Sequence, residues 1–392
     1  MRPLDGITVV ALEQAVAAPF ATRQLAELGA RVIKIERPHV GDFARHYDKT
    51  VHGMSSHFVW CNHSKESLTL NVKAPEAKGI LDRLLSRADV FIQNFGPGAI
   101  DRLGFGTDVL KEVYPHLIIC SISGYGENGP YREKKAYDLL VQCEAGLVSV
   151  TGSEEVPSKV GISVADIAAG MYAYSGILTA LIARSKTGKG SVLEISMLEA
   201  LGEWMGFPLY YTNYSGNEPK RNGASHATIY PYGPFRTGNE KTVFLAIQNE
   251  REWEMFCKLV IEQPERVDDP RFVTNSERLD NRDVLQGVID EVFSRLTAEE
   301  VIERLERAKI ANARLNTVQD FWDHPQLRAR NRWRQVETPV GPVQTLLPPV
   351  TMQGMEPHLG PIPQLGEHNE KILMECGFDE GTIRKWREAG VV

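Results

Sequence analysis

The first 120 residues alternate short β-branched runs with helix-patterned segments, and that alternation constrains the fold more than any other feature of the chain. ITVVAL (7–12) reads as a strand, APFATRQLAELGA (18–30) as a helix ending at Gly29, and RVIKIE (31–36) as a second strand. Residues 76–87 read as helix, then DVFIQNF (89–95) and HLIICSISG (116–124) as buried strands. Strands that recur with helices between them must run parallel, with helices covering both faces of one sheet. Further on, residues 164–186 carry the strongest helical pattern, closed by KTGKG with lysines at the negative end of the dipole and glycine just past it. SVLEIS (191–196) reads as another strand and residues 197–213 as a helix.

At 392 residues the chain is long enough for two or three domains. Its texture changes over 214–240, which is rich in Gly, Pro, Asn and Tyr. Beyond it one strand (TVFLAI) and several amphipathic helices suggest a smaller domain. The expected division is 1–213, then 214–325 with its linker, then 326–392. The net charge of −7 argues against nucleic acid and anionic membrane as partners. No apolar run reads as long enough to span a bilayer, and the start of the chain lacks the pattern of a signal peptide. Five cysteines, widely spaced and without Cys-x-x-Cys, fit a reduced, cytoplasmic protein. Ten histidines without paired ligand spacing give no metal site.

Several chemistries fail on their residue requirements. A dinucleotide site needs G-x-G-x-x-G after the first strand; here EQAVAAPF follows, without glycine, although Glu36 imitates the ribose-binding acid. KTGKG lies helix-then-strand, the reverse of a phosphate loop. Gly161-Ile-Ser163-Val-Ala165 resembles a nucleophile elbow with its last glycine replaced. Asp166 stands out instead. It opens the long helix among Ala165, Ala168, Ala169 and Gly170, small neighbours that leave room for a bulky group. A carboxylate so placed is a candidate covalent nucleophile. The segment fits equally well as a capping box, Ser163-Val-Ala-Asp166. Two strand-end loops add to the picture: Asn94-Phe95-Gly-Pro-Gly98 with Asp101 and Arg102 beyond it, and SISGYGENGPY (121–131) with Tyr125. Loops after the carboxyl ends of parallel strands are where ligands bind.

With these segments in view, the chain resembles the class III CoA-transferases, the CaiB/BaiF family, over nearly its whole length. The resemblance rests on PLDGITVVALE, LAELGARVIKIERP, NHSKESLTLNVK, NFGPGAIDRLGFG, SGYGENGPY, AYDLLVQ, the Asp166 segment through KTGKG, and LGEHNEKIL, taken in order. It implies a large Rossmann-like parallel-sheet domain built from both chain ends, a smaller inserted α/β domain, and a homodimer of interlocked rings. It implies coenzyme A thioesters as substrates, with no prosthetic group. Asp166 matches the family's acylated aspartate, and the Val16 and Ala17 region its oxyanion donors. Val16, Ala17, Arg37, Leu70, Lys73, Asn94, Phe95, Arg102 and Lys135 match its CoA contacts. Four of these are basic, as an acidic protein binding an anionic cofactor requires.

Departures from the family pattern narrow the expectation. The formyl-CoA:oxalate branch has a glycine run where LAIQNEREW (245–253) stands, so Gln248 and Asn249 are expected at the acyl group instead. The racemase branch has a His-Asp pair where Tyr137-Asp138 stands, and tyrosine is a poor base at neutral pH. What remains is a dicarboxylate branch: succinyl-CoA as donor and a C4–C5 diacid as acceptor, itaconate first, with mesaconate, citramalate or malate as near alternatives. Arg45, His226 and Arg236 are the candidates to receive the distal carboxylate. An α-methylacyl-CoA epimerase and a non-catalytic CoA-binding dimer are the rival readings.

Overall fold

The structure, a computed structural model, describes all 392 residues. Six parallel strands form the main sheet: β1 (Thr8–Leu12), β2 (Arg31–Glu36), β3 (Lys65–Thr69), β4 (Val90–Gln93), β5 (Ile118–Ser123) and β6 (Val192–Ser196). Their spatial order is β3-β2-β1-β4-β5-β6. β1 pairs with β2 through Val10↔Ile33 and with β4 through Val10↔Phe91. The order therefore reverses between β1 and β4, which opens a crevice beyond their carboxyl ends.

Alternate strand residues serve two separate cores. Val9, Ala11, Val32, Val90, Ile92, Cys120 and Ile122 face helices Ala17–Glu27 and Val164–Thr187. Val10, Leu12, Ile35, Leu68, Leu70 and Phe91 face helix Ala77–Leu85 and the C-terminal helices Asn369–Glu375 and Glu380–Glu388. Both faces of the sheet are thus covered, as the alternating pattern requires.

β3 is absent from the sequence reading because KESLT lacks an apolar run; its Lys65 and Ser67 are buried against carboxylates. The expected helix over 197–213 is two, Met197–Trp204 and Gly206–Ser215. Helix Val164–Thr187 is long and apolar enough by composition to cross a membrane, contrary to the sequence expectation. In the fold its small-residue face, Ala165, Ala168, Ala169, Gly170 and Ala173, is core. Its end follows the sequence reading: Gly188 takes φ +69° and donates to the Arg184 carbonyl at 2.8 Å.

Two compact units emerge. The first comprises residues 1–147, 160–207 and 329–392, and includes a short hairpin of β10 (Trp333–Val336) and β11 (Val343–Leu346). The second comprises 148–159 and 208–328. It holds an antiparallel sheet of β7 (Tyr232–Arg236), β8 (Thr242–Ala246) and β9 (Ala311–Arg314). Its core is aromatic: Phe235, Trp253, Phe256, Phe272 and Phe293. Only TVFLAI of its three strands is visible in the sequence, since YGPFR and ANAR are short and polar.

Candidate active site

Asp166 sits in the first turn of helix Val164–Thr187, and the expected capping box does not form. Ser163 makes no side-chain cap bond. The cap comes from another element: Asp138 Oδ1 accepts from the amides of Ala165 (2.8 Å) and Asp166 (3.2 Å), while its Oδ2 accepts from Gln142 Nε2 at 2.7 Å. The Asp166 carboxylate is therefore released from capping duty. Nor is Ser163 on an elbow, since no strand leads into it. Burial, reinforced by the Asp138 charge, pushes the Asp166 carboxyl up to about 7. A strongly raised carboxyl pKa in a partly buried position marks a functional candidate.

Gly170, one turn further on, shares the face of Asp166. A Cβ at Gly170 would lie 2.6 Å from the Ala17 carbonyl oxygen and 3.0 Å from the Phe20 ring. Glycine here lets helix Ala17–Glu27 approach with its N-terminal end towards Asp166. No side chain caps that helix, whose N-cap is Val16, so first-turn amides remain to stabilise an anion. Val16 and Ala17, both buried, lie at this end of the helix.

The turn that leads into this helix is fixed by a buried ionic cluster that sequence reasoning missed. Ala15 has φ +61° and donates its amide to Asp42 at 3.1 Å. Lys34 bonds Asp42 (2.8 Å) and Glu13 (3.3 Å); Lys65 bonds Glu13 (2.7 Å) and the Pro19 carbonyl (3.0 Å). All four charged side chains are fully buried. Burial alone would raise the carboxyls of Glu13 and Asp42, but the lysines outweigh it and hold both below the usual range. Lys65 is pushed down to about 8, chiefly by burial. Glu36, the imitation ribose acid, is spent on Arg45 (2.8 and 2.7 Å) and Ser67 (2.6 Å). Tyr47, also missed, follows the short helix capped by Asp42. Burial, then the charges of Asp42 and Asp166 and the Tyr137 phenol, push its hydroxyl up to about 12. Its signal in the sequence was the polar segment GDFARHY, which carries no periodicity.

At the switch point, Asn94 makes a reciprocal pair with the Gln14 backbone, accepting at 2.9 Å and donating at 2.9 Å. It ties the loops after β1 and β4. A cavity of about 290 Å³, counting its open mouth, lies at this carboxyl edge. Leu12, Ile35, Arg37, Leu70, Val72 and Phe95 are among its lining residues. Three expected CoA contacts, Arg37, Leu70 and Phe95, are therefore brought together. Lys73 is exposed beside Val72, and Arg102 is exposed over the turn after Phe95, donating weakly to the Pro97 carbonyl (3.4 Å). Gly98 takes φ +65° in that turn, and a Cβ there would meet Arg102 at 2.9 Å. Lys135 is exposed in the segment that passes over Gly124 at the end of β5.

Several expected substrate contacts are otherwise engaged. Arg45 is not free for a carboxylate: besides Glu36 it reaches the Pro363 carbonyl and covers the Phe58 ring at 3.8 Å. His226, in the second unit, accepts from the Thr228 amide and stacks on Tyr232. Asn249 caps helix Glu250–Met255 through the Glu252 amide (2.9 Å), which occupies its side-chain oxygen. Gln248 is exposed, and Arg236 is exposed in a surface pair with Glu240. Tyr137 is exposed at the N-cap of helix Asp138–Glu144.

A model of the CoA-transferase family III matches residues 4–369. Human succinyl-CoA:glutarate CoA-transferase is 31% identical, covering 100% of this chain and 90% of its own. Acetyl-CoA:oxalate CoA-transferase of Acetobacter aceti is 34% identical over 96% of this chain and 97% of its own. A CaiB/BaiF family crystal structure from Brucella suis superposes with a TM-score of 0.84 at 32% identity, over 96% and 99% of the two chains.

Proposed function

Since this chain belongs to the family III CoA-transferases, we propose that it moves CoA from succinyl-CoA to a C4–C5 dicarboxylate, itaconate foremost, with Asp166 as the covalent nucleophile. The observation that carries this reading is the Asp166 carboxyl itself: uncapped, partly buried, and raised to about 7. Raised basicity makes a carboxylate a better nucleophile while leaving a large ionised fraction at neutral pH.

The Asp166 carboxylate attacks the thioester carbonyl of the donor. The C–S bond breaks, giving a mixed anhydride and CoA thiolate. The thiolate then attacks the Asp166 carbonyl, forming an aspartyl-CoA thioester and releasing the donor acid as its carboxylate. An acceptor carboxylate reverses both steps and leaves as the new CoA ester. Overall one thioester replaces another, so the exchange needs no ATP. Each tetrahedral intermediate carries an oxyanion, for which the uncapped first-turn amides after Val16 are the candidate donors. The pantetheine end must cross from the cavity, on the side of the sheet facing helix Ala77–Leu85, over the carboxyl edge to Asp166 on the opposite side. The Asn94–Gln14 tie and the turn at Ala15 form that edge. Arg37, Lys73, Arg102 and Lys135 supply positive charge for the phosphates.

Relatives named for succinyl-CoA and glutarate align over the full chain, which supports a diacid as partner of the exchange. Incubation with succinyl-CoA and a panel of itaconate, mesaconate, citramalate, malate, glutarate and oxalate, followed by mass spectrometry of CoA esters, tests the reading. New itaconyl-CoA or another C4–C5 ester is expected. Absence of any diacid-dependent ester would refute it. The protein is read as a cytoplasmic homodimer; sedimentation of the purified chain tests the second part.

A further inference from the structure

The Ser163-Val-Ala-Asp166 segment has the spacing of a capping box, and the box stays open. Elsewhere in the chain the same pattern closes. At Thr317–Asp320, with the same spacing and the same acid, the Asp320 carboxylate accepts from the Thr317 amide at 2.8 Å and from the Thr317 hydroxyl at 2.7 Å. The Asp320 amide donates back to that hydroxyl at 3.1 Å. Thr274–Glu277 and Thr297–Glu300 close likewise. An acid in this position is therefore drawn back onto the cap unless something prevents it. Closed in that way, the Asp166 carboxylate would accept hydrogen bonds from Ser163, which stabilise its charge and lower its basicity.

Asp138 keeps the box open. Its Oδ1 accepts from the amides of Ala165 and Asp166, and the Asp166 amide is the one that the Ser163 hydroxyl would need. Asp138 is half-buried, and an aspartate in such a place has more than one rotamer open to it. Gln142, one turn along the same helix, selects the rotamer that caps. Its Nε2 donates to Asp138 Oδ2 at 2.7 Å and lies 3.5 Å from the Ile162 carbonyl oxygen. Its Oε1 accepts from the Val160 amide at 3.0 Å. These partners fix the orientation of the side-chain amide, since an ionised carboxylate only accepts and a backbone N–H only donates. Gln142 is fully buried. One side chain thus joins Asp138 to the segment that leads into the Asp166 helix.

We propose that Gln142 is a positioning residue for the covalent step: by holding Asp138 on the amides of Ala165 and Asp166, it keeps the Ser163–Asp166 box open and the Asp166 carboxylate free to attack. This rests on Asp166 as the nucleophile. Without Gln142, Asp138 loses its anchor, the Ser163 hydroxyl takes the Asp166 amide, and Asp166 folds back as a cap.

The test is a double-mutant cycle in the full-length chain between Gln142→Met and Ser163→Ala. It is read by the rate at which hydroxylamine traps Asp166 after succinyl-CoA is added, and by calorimetric binding of free CoA. Helix caps shift a local equilibrium by about 2- to 30-fold, so Gln142→Met should slow trapping about tenfold and leave CoA affinity within about twofold of wild type. Ser163→Ala alone should change neither, since Ser163 makes no side-chain cap bond. Added to Gln142→Met, it should restore most of the lost rate, because in a closed box the hydroxyl both accepts from the amide and donates to the acid. Asp138→Ala, which removes the cap from its less buried end, should show the same loss and the same rescue. It carries the test if Gln142→Met does not fold. A Gln142→Met variant that labels Asp166 at the wild-type rate overturns the proposal. So does a loss that Ser163→Ala leaves untouched, or one shared equally by CoA binding, since either marks a merely structural effect. Wild-type enzyme that exchanges CoA without labelling Asp166 overturns the nucleophile reading, and the proposal with it.

Discussion

Replacing Asp166 with asparagine should stabilise the protein at pH 8 and leave it nearly unchanged at pH 4. The native carboxyl is raised from 3.8 to about 7, first by burial and then by Asp138. The native state therefore binds this proton more tightly than the unfolded chain does. Wild-type stability must fall as pH rises from about 4 to about 7, then level off. Three pKa units at 1.36 kcal/mol each give about 4 kcal/mol as the ceiling for this term. Asp166 keeps an edge to solvent, so about 2 kcal/mol is the sounder expectation. Asparagine has the same shape and no charge, so it removes the term at every pH. For a chain of this length such a difference is a few degrees in Tm. Thermal unfolding of both proteins at pH 5, 6, 7 and 8 would show the gap widen with pH. A gap that stays constant, or a variant less stable than wild type by more at pH 8 than at pH 5, would refute the strained-carboxylate argument.

Asp138→Asn keeps an oxygen to cap Ala165 but removes the repelling charge, so the acidic limb of the pH–rate profile should move below about 7; an unmoved limb would assign the shift to burial alone. Lys65→Met strands Glu13 beside a single lysine in a fully buried site, and loss of one partner from such a cluster costs about 3–5 kcal/mol, readable by urea unfolding. Gly170→Val would drive a side chain into the Ala17 carbonyl and Phe20, separating the two helices; turnover should fall at least tenfold while binding of free CoA, measured by calorimetry, changes little.

Apolar periodicity made most of the main sheet legible. VVAL, VIKI and VFIQ are strands because both faces of a parallel sheet are buried. β3 escaped because its buried positions hold Lys65 and Ser67, which read as surface until their partners Glu13 and Glu36 are known. Those partners lie 52 and 31 positions away in sequence, so no local window joins them. The same reason hides the true cap of the Asp166 helix. Ser163 has the right spacing, whereas Asp138 reaches it from another helix, 27 positions upstream. Arg45 shows the opposite failure. Sequence offered a free guanidinium, and tertiary packing committed it to Glu36. Phe95, Leu70 and Arg37, which the family resemblance singled out, line one cavity because each follows the carboxyl end of a parallel strand, a topological property that does not depend on side-chain contacts.

The central claim is that the side chain of Asp166 becomes an acyl anhydride and then a CoA thioester. Donor succinyl-CoA added without acceptor, followed by hydroxylamine and peptide mass spectrometry, tests it directly. A hydroxamate on the peptide carrying Asp166, absent from the Asp166→Asn variant, is the expected result. An unmodified Asp166 in enzyme that still exchanges CoA would contradict the account.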